Sequence, residues 1–294
     1  MAEPVFQRLA LIGIGLIGSS IARGAKEYGL ARQIVICDAS PQALARAAEL
    51  GLGDEYESDP ARAVAQADGV ILCTPVGTLA SVAAAIAPAL RPGTILSDVG
   101  STKQSVMRDV APLVPPDVAF VPAHPIAGTE FSGPDAGMAD LFQGRWCLLT
   151  PAATTDEASV LKIEALWHGL GARTARMDAP HHDRVLAIVS HLPHLLAFTI
   201  CGTADDLADE TKQEVLQFAA SGFRDFTRIA ASDPVMWRDI FLNNKEALLE
   251  MLARFSEDAQ AMARAVRWGD TGYIEDKINR SRKIRRSLID LKQA

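Results

Sequence analysis

Short apolar runs alternate with helix-forming stretches along the first 178 residues of the chain. The runs span residues 9–12, 34–37, 69–73, 94–98, 118–121, 146–151 and 172–177. Strands that alternate with helices predict a doubly wound, mostly parallel sheet with right-handed crossovers. From residue 179 onward the apolar positions recur at helical spacing, which predicts helices only. We therefore expect an α/β domain over residues 1–178 and an all-helical domain over residues 179–294.

The first apolar run is followed at once by the glycine-rich sequence GIGLIG at 13–18. A strand, a tight turn and a helix are the context in which the pattern GxGxxG binds a dinucleotide, as in a Rossmann-type domain. The first glycine permits the turn, the second lets the backbone approach a pyrophosphate, and the third lets the helix pack on the strand. We expect the phosphates at this helix N-terminus, bound by Gly13, Gly15, Leu16, Ile17 and Gly18.

Asp38 ends the second apolar run, about 20 residues after the last glycine, where such domains hold the ribose. A carboxylate at that point accepts hydrogen bonds from both ribose hydroxyls and repels a 2′-phosphate. No arginine immediately follows Asp38, so we expect the cofactor to be NAD rather than NADP. The alternative is a solvated aspartate that caps the helix beginning near Pro41.

Three segments follow predicted strands and should converge on one crevice, because ligands of such sheets bind beyond the carboxyl ends of the strands. The first is Thr74 and Pro75, which we expect to contact the cofactor, and the second is 98–103. Ser101 in that segment is expected to cap the next helix, to point its hydroxyl into the crevice beside the nicotinamide, or both. The third is the loop sequence HPIAGTE at 124–130, which follows the run 118–121.

The sequence SHLPH at 190–194 places His191 and His194 three residues apart, on one helix face. A metal site is disfavoured because no HExxH pattern or matching carboxylate accompanies them. The proline between the histidines suggests a kinked turn that faces something polar.

A second cluster in the helical half, at 222–239, holds arginines near aromatic residues. These arginines could bind a carboxylate bidentately, or they could form interhelical salt bridges with Asp225 and Asp239. For at least one arginine we expect the salt bridge. The three arginines are Arg224, Arg228 and Arg238.

The formal net charge of −7 argues against a nucleic-acid or anionic-membrane partner. The four cysteines are far apart and form no CxxC pair, which indicates a reducing cytoplasm without disulfides. The apolar segment 9–22 is too short to span a bilayer and lacks the pattern of a signal peptide. An apolar stripe at helical spacing over 245–266 predicts core or a subunit contact, and we expect a homodimer through the helical domain.

Five motifs, taken together, resemble the prephenate dehydrogenase family, which includes the arogenate and cyclohexadienyl dehydrogenases of tyrosine biosynthesis. The motifs are GIGLIGSS at 13–20, DVGSTK at 98–103, HPIAGTE at 124–130, SHLPH at 190–194 and GFRDFTRIAASDPVMW at 222–237. The resemblance covers nearly the whole chain. It implies an oxidative decarboxylation in which a cyclohexadienol gives a hydride from C4 to NAD, loses its ring carboxylate as CO2 and becomes a phenol.

The resemblance also implies roles for single residues. His124 takes the hydrogen bond of the C4 hydroxyl, with Ser101 hydrogen-bonded nearby, and Arg228 anchors a substrate carboxylate. The remaining residues line the pocket (His191 and His194) or its mouth (Thr129 and Glu130). An acid near the substrate would favour the amine of arogenate over the keto group of prephenate. Asp225 or Glu130 is the candidate for that acid.

Two other functions are compatible with parts of the sequence. One is a dehydrogenase of the β-hydroxyacid or imino-acid type, which shares the glycine loop and the helical second half. Such enzymes usually depend on a lysine in the helical domain, where this chain has His194 and Arg228. The other is a non-catalytic NAD-sensing protein, which would not need His124, Ser101 and Arg228 together.

Overall fold

The computed structural model of the chain describes residues 3–129, 131–207 and 209–290. The strands are β1 (Phe6–Ile12), β2 (Ala31–Cys37), β3 (Glu55–Glu57), β4 (Gly69–Leu72), β5 (Ile95–Asp98), β6 (Ala119–Pro125), β7 (Trp146–Leu149) and β8 (Arg173–Arg176). The first six α-helices are α1 (Leu16–Glu27), α2 (Pro41–Glu49), α3 (Pro60–Val64), α4 (Leu79–Ile86), α5 (Gln104–Asp109) and α6 (Glu157–Gly169). Those that follow are α7 (Ala179–Leu186), α8 (Leu192–Asp205), α9 (Asp209–Phe218), α10 (Ser221–Thr227), α11 (Pro234–Asn243), α12 (Lys245–Trp268) and α13 (Thr271–Asp290).

The eight strands form one sheet in the order β3-β2-β1-β4-β5-β6-β7-β8. The strands β1 to β6 are parallel, whereas β7 pairs antiparallel with β6 and parallel with β8. The predicted α/β class with a mostly parallel sheet, followed by helices, is therefore confirmed. The edge strand β3 was not predicted, because its sequence Glu-Tyr-Glu is short and polar.

The sheet buries both of its faces, because alternate residues of a strand point to opposite sides. In β1, Leu9 and Leu11 belong to one apolar core, and Ala10 and Ile12 belong to the core on the other face. Helices cover both cores, as parallel sheets require. This explains why the strands appear in the sequence as continuous apolar runs rather than as alternating patterns.

The helices α7 and α8 form one continuous segment, Ala179–Asp205, interrupted by a π-helical turn at Ala187–His191. Pro193 lies in the first turn of α8, where its ring cannot continue the regular hydrogen-bond ladder. The wider turn before it accommodates the proline. By length and apolar composition alone this segment could cross a membrane. Two of its buried polar side chains, His182 and Asp183, are instead hydrogen-bonded to other parts of the fold.

Two compact units divide the chain, Met1–Lys245 and Glu246–Ala294. The first unit holds the whole sheet together with the helices from α1 to α11. The second holds α12 from its second residue onward, and α13, with an ion pair between Lys277 and Asp258 at 2.9 Å. Several apolar side chains of α12 are exposed, among them Leu249, Phe255 and Val266. The domain boundary expected at residue 178 stays a prediction.

Candidate active site

The glycine loop between β1 and α1 is shaped by close backbone approaches. Gly13 has φ +99°, a left-handed conformation that side chains disfavour. A Cβ atom on Gly13 would lie 2.8 Å from the carbonyl carbon of Cys73, and one on Gly18 would collide with the carbonyl oxygen of Gly13. Glycine at these two positions therefore lets the loop, the helix and the end of β4 meet.

Gly15 has a different role from its two neighbours in the motif. It is the N-cap of α1, and a Cβ built on it would meet no atom within 4 Å. The fold itself therefore tolerates a side chain here. The N–H groups of Leu16 and Ile17 begin α1, where no carbonyl of the helix can accept their hydrogen bonds. Open space above unpaired N–H groups at a helix N-terminus fits a pyrophosphate.

Asp38 follows β2 and accepts hydrogen bonds both from the glycine loop and from the segment that precedes α2. Its Oδ2 accepts the N–H of Ile14 at 2.9 Å, and its Oδ1 accepts the N–H of Ser40 at 2.8 Å. Asp38 is not the cap of α2, because the side chain of Ser40 has that role through the N–H of Ala43. The capping alternative is thus wrong, and the carboxylate lies against the glycine loop, where a ribose would be expected.

Thr74 and Pro75 follow β4 next to the glycine loop. The hydroxyl oxygen of Thr74 is buried and has no hydrogen-bond partner among the described residues. Its methyl group would lie 3.0 Å from a Cβ atom on Gly13. An unpaired buried hydroxyl is costly unless a ligand or water satisfies it. Together with the open space at Gly15, it shows that this region fits a dinucleotide.

His124 lies at the carboxyl end of β6, on the same edge of the sheet as the glycine loop. It was expected in a loop, but β6 extends to Pro125 and pairs His124 with Leu148 of β7. The strand is longer than the apolar run 118–121 because Ala123 and its neighbours are also buried. His124 itself is 8% exposed. A strand fixes its backbone more firmly than a loop would.

Two successive hydrogen bonds connect His124 to His182 and His182 to Asp183. Its Nδ1 atom lies 2.9 Å from Nε2 of His182, and Nδ1 of His182 lies 2.8 Å from Oδ1 of Asp183. Asp183 also accepts the N–H groups of Lys103 at 2.7 Å and of Gln104 at 2.9 Å, at the start of α5. Strand β6 supplies the first side chain, and α7 supplies the second and third.

These hydrogen bonds determine the charge of Asp183. Burial by itself raises the pKa of the carboxyl group, but the hydrogen bonds from His182 and from the N–H groups of Lys103 and Gln104 outweigh it and lower the pKa. Asp183 is therefore a carboxylate near neutral pH. Burial lowers the pKa of His182, against the opposing effect of the hydrogen bond to Asp183.

A buried ion pair lies beside the histidines. The ammonium group of Lys103 donates to Asp98, and both side chains are fully buried. Asp98 also accepts the N–H of Gly100 at 2.7 Å and that of Ala123 at 3.3 Å. Burial lowers the pKa of Lys103, and the carboxylate of Asp98 opposes this effect.

Several titratable groups act on His124. Burial lowers its pKa well below the usual value, and the positive charge of Lys103, together with the charges that His182 and His191 would carry when protonated, acts in the same direction. The thiol of Cys147, on β7, is also close, since the backbone of His124 hydrogen-bonds to it and burial raises its pKa. His124 is consequently a neutral imidazole near pH 7, which is the form that accepts a proton.

His191 ends the π-helical turn and is fully buried. The side-chain nitrogen of Asn244 lies 2.9 Å from its Nδ1 atom and donates to the carbonyl oxygen of Asp183 at 2.8 Å. An amide nitrogen only donates, so Nδ1 accepts and Nε2 carries the proton. Nε2 is buried without a partner among the described residues. Burial lowers the pKa of His191 to about 4.

His194 lies one turn further along, stacked on Trp237 with ring centroids 3.6 Å apart. Its Nδ1 atom donates to the carbonyl oxygen of Ser190 at 2.9 Å. Burial lowers the pKa of His194, and the charge of Arg228 adds to the effect. Arg228 begins the short 3-10 turn Arg228–Ala231, which contacts α8. The structure therefore brings Arg228 and His194 together.

The other two arginines of the cluster are arranged differently. Arg238 pairs with Asp239, its neighbour in α11, at 2.7 Å. A salt bridge of one arginine was expected, but it lies within one helix rather than between two. Arg224 lies on α10 and is exposed, as is Asp225.

Ser101 does not cap the following helix. Helix α5 begins at Gln104 and its N-cap position is Lys103, so the capping alternative is wrong. Among the described residues no hydrogen bond joins Ser101 to His124, whose Nδ1 atom binds His182 instead. The expected position of the Ser101 hydroxyl beside a nicotinamide stays a prediction.

The mouth residues lie in the segment that follows β6. Thr129 is exposed, accepts the N–H of Phe131 at 3.3 Å, and lines a hollow together with Asp140 and Arg145. Glu130 lies outside the described residues. The residues that line this hollow, as described, come from 126–129 and 138–145 and not from the helices that hold the two histidines.

Sequence reasoning missed the partners of the predicted histidines. His182, Asp183, Lys103 and Asn244 are polar residues whose side chains are buried. A hint was present for two of them: the sequence HHD at 181–183 places two histidines and a carboxylate in one helix turn. No pattern in the sequence indicates that this turn meets β6. Among the described residues, no cluster of three or more metal-ligating side chains occurs.

Comparison with known proteins places these residues in a family context. Residues 21–176 match the family model of the prephenate dehydrogenase nucleotide-binding domain, and residues 178–279 match that of the prephenate dehydrogenase dimerization domain. The chain is 42% identical over 284 residues to the cyclohexadienyl dehydrogenase of Zymomonas mobilis, with 97% of each protein covered. It is 36% identical over 250 residues to the prephenate dehydrogenase of Bacillus subtilis, covering 85% of this chain and 66% of that protein.

A solved structure agrees with these matches. The prephenate dehydrogenase of Aquifex aeolicus, in complex with hydroxyphenyl propionate and NAD+, superposes with a TM-score of 0.88 at 31% sequence identity. The superposition covers 98% of this chain and 99% of that one.

Proposed function

This chain belongs to the prephenate dehydrogenase family, and on that premise we propose how its residues carry out the reaction. The activity is the NAD-dependent oxidative decarboxylation of prephenate, arogenate or both, which yields 4-hydroxyphenylpyruvate or tyrosine in tyrosine biosynthesis. The observation that carries the assignment of roles is the buried, neutral His124 at the carboxyl end of β6, on the edge of the sheet that holds the glycine loop.

The cofactor is NAD, and the residues around the glycine loop suit it. When bound, NAD accepts the hydride that leaves C4 of the substrate ring. Gly15 and the N–H groups of Leu16 and Ile17 hold the pyrophosphate, and Asp38 holds the ribose hydroxyls. Thr74, whose buried hydroxyl has no partner within residues 3–129, 131–207 and 209–290, contacts the cofactor on the other side of the loop. Pro75 and Ser101 contribute the remaining contacts.

His124 acts as the general base. As the electron pair of the C4–H bond leaves the ring, the hydroxyl proton on C4 passes to the neutral imidazole. The ring carboxylate then departs as CO2, and the electron pair of its bond makes the ring aromatic. The ring oxygen takes back the proton from His124 and becomes a phenol, which restores the base. A charged imidazole could not begin this cycle, so the lowered pKa of His124 matters directly.

The helices beyond residue 179 supply the substrate contacts. Arg228 pairs with a carboxylate of the substrate, which suits a planar guanidinium group. His194, next to it, lines the same pocket, and its Nε2 atom keeps a lone pair because Nδ1 donates to Ser190. The Nε2–H of His191, which has no partner in the part of the chain that the structure describes, points to a hydrogen bond with a substrate oxygen, because an unsatisfied buried donor is costly. The resemblance to the family assigns Thr129 and Glu130 to the mouth of the site.

The decisive experiment mixes the purified protein with NAD and either prephenate or arogenate, and follows NADH by its absorbance. We expect turnover with at least one of them, and parallel kcat/KM values establish the preference. The absence of turnover with both, while NAD binds, would favour an NAD-sensing protein. Turnover of a β-hydroxyacid instead would favour the other class of dehydrogenase.

Replacing Arg228 by alanine tests the proposed carboxylate anchor. Hydrogen bonds to charged groups contribute about 1.5–3 kcal/mol, so we expect the KM for the cyclohexadienyl substrate to rise about 10- to 100-fold with a smaller change in kcat. Arg228→Lys keeps the charge but not the bidentate geometry, so its KM should lie between those of the wild type and Arg228→Ala. An unchanged KM in Arg228→Ala would remove this residue from the substrate site.

The chain forms a homodimer through its helical part in this proposal. Support comes from the family description of residues 178–279 as a dimerization domain and from the exposed apolar side chains Leu249, Phe255 and Val266 in a single chain. Sedimentation velocity should give the mass of two chains, and a monomer at micromolar concentration would contradict it.

Two further parts of the proposal concern localisation and domain organisation. The free cysteines fit a cytoplasmic enzyme. The two family matches, which meet at 176–178, support a domain boundary at residue 178.

A further inference from the structure

The hydrogen bonds behind His124 determine which of its two ring nitrogens carries the proton. Asp183 is a carboxylate and can only accept, so Nδ1 of His182 donates to it. A neutral imidazole has one N–H, which leaves Nε2 of His182 with a lone pair. The contact of 2.9 Å between Nε2 of His182 and Nδ1 of His124 then requires that His124 donates. His124 is left with a lone pair on Nε2.

We propose that His182, oriented by Asp183, is a positioning residue that holds His124 in the tautomer whose Nε2 atom accepts the substrate proton. The inference rests on the proposed function, in which His124 is the base. The opposite tautomer would carry its proton on Nε2 and would have no lone pair there to accept the proton of the substrate. The arrangement also supports the charged state, because His124 as an imidazolium still donates to His182 while Asp183 compensates its charge.

The anchoring of Asp183 strengthens this inference. Its two oxygens are held by the backbone N–H groups of Lys103 and Gln104, independently of either histidine. The carboxylate therefore has a fixed position from which it orients the ring of His182. A simpler reading is that Asp183 only caps the start of α5. Under that reading the protonation of His124 would not depend on His182.

The test uses two replacements of His182 with different hydrogen-bonding capacity. His182→Leu keeps a similar buried volume and removes the acceptor, while Asp183 keeps its two backbone hydrogen bonds. The Nδ1 atom of His124 then has no acceptor, so its proton should move to Nε2. His182→Gln offers a side-chain oxygen that can accept from Nδ1 of His124 and should preserve the original tautomer. His181→Gln, at the exposed neighbouring position, is the matched control.

The first measurement is made on the full-length protein without NAD or substrate. The protein has six histidines, and two-bond 1H–15N correlation spectra of 15N-labelled histidine distinguish their tautomers. The His124 signals are assigned by their loss in His124→Asn. We expect His124 to be protonated at Nδ1 in the wild type, in His182→Gln and in His181→Gln, and at Nε2 in His182→Leu. A wild-type His124 protonated at Nε2, or no change in His182→Leu, would overturn the proposal.

The second measurement is steady-state kinetics at neutral pH with the substrate that the wild type turns over. Loss of a correctly positioned base costs about 10²–10⁴-fold, so kcat of His182→Leu should fall by at least about 100-fold, while KM and NAD affinity change little. His182→Gln should recover most of the loss. Equal losses in both variants, with a weaker NAD affinity, would indicate a structural role. A wild type without turnover would instead contradict the proposed function, whereas the tautomer result would stand by itself.

Discussion

The candidate cofactor site at the glycine loop is formed by the backbone of consecutive residues. The candidate site around His124 is formed by side chains from separate secondary-structure elements. The loop residues 13–18 are consecutive, and Gly13 and Gly18 are needed because atoms of the fold leave no room for a side chain. His124 and His182 are 58 residues apart and meet only because α7 lies against the end of β6. Both regions lie on the same edge of one sheet.

The difference shows two ways in which a fold can form a functional site at the end of a strand. A helix N-terminus binds phosphate through backbone N–H groups, which every residue except proline possesses, so its main requirement is that no side chain blocks the approach. A general base needs one particular side chain in one protonation state, and this depends on burial and on its neighbours. Damage to the first region should therefore affect cofactor binding, and damage to the second should affect the rate of the chemical step.

The largest expected effect is that of His124→Asn. Removing a positioned base costs about 10²–10⁴-fold in rate, so kcat should fall by that factor while the dissociation constant of NAD stays within about twofold. Steady-state kinetics and a fluorescence titration with NAD measure the two quantities. Near-normal turnover, or a parallel loss of NAD binding, would abolish the distinction between the two regions.

The pH profile of the wild type tests whether His124 is the general base. A general base works in its unprotonated form, which exists above its pKa. Burial, together with the positive charge of Lys103 and the charges that His182 and His191 would carry when protonated, lowers the pKa of His124. The acid limb of kcat/KM should therefore lie below pH 6.5, and activity should stay level through neutral pH. An acid limb above pH 7 would mean that the imidazole is not the group that titrates.

Replacements in the glycine loop should distinguish a glycine that the fold requires from a glycine that only cofactor binding requires. In Gly18→Ala the new Cβ meets the backbone oxygen of Gly13, which cannot move away cheaply, so we expect a lower melting temperature and at least a tenfold rise in the dissociation constant of NAD. In Gly15→Ala the Cβ meets only open space, so the melting temperature should not change while NAD affinity falls about tenfold. A Gly15→Ala variant with wild-type affinity would show that no pyrophosphate lies there.

The smallest expected effect is on the choice between NAD and NADP. Asp38→Asn keeps a side-chain oxygen for the N–H of Ile14 but removes the negative charge. The ratio of kcat/KM for NAD to that for NADP should fall about tenfold, equivalent to about 1.4 kcal/mol. Asp38→Ala also loses the hydrogen bond and should raise the KM for NAD as well. Unchanged ratios in both variants would exclude a direct contact with the ribose.

The sequence was most informative where function depends on local geometry. The glycine motif, the strands around it and the helical second half were all predictable, because periodicity and glycine spacing act within a few residues. His124, His191 and His194 were recognisable as candidates, but their partners were not. His124 itself was expected in a loop, since the strand that holds it continues beyond its apolar run. The short polar strand β3 was missed for a similar reason, because its sequence has no apolar pattern.

By itself the sequence determined the fold class, the family and the position of the cofactor loop, because these depend on apolar periodicity and on runs of neighbouring residues. Only the tertiary structure decided how His124 is held. It brings His182 and Asp183 against β6 and Lys103 next to Asp98, and it leaves the hydroxyl of Thr74 and Nε2 of His191 without a hydrogen-bond partner among the described residues. The physical reason is that protonation states depend on burial and on charges a few ångströms away, and these distances arise only when segments remote in the chain pack together.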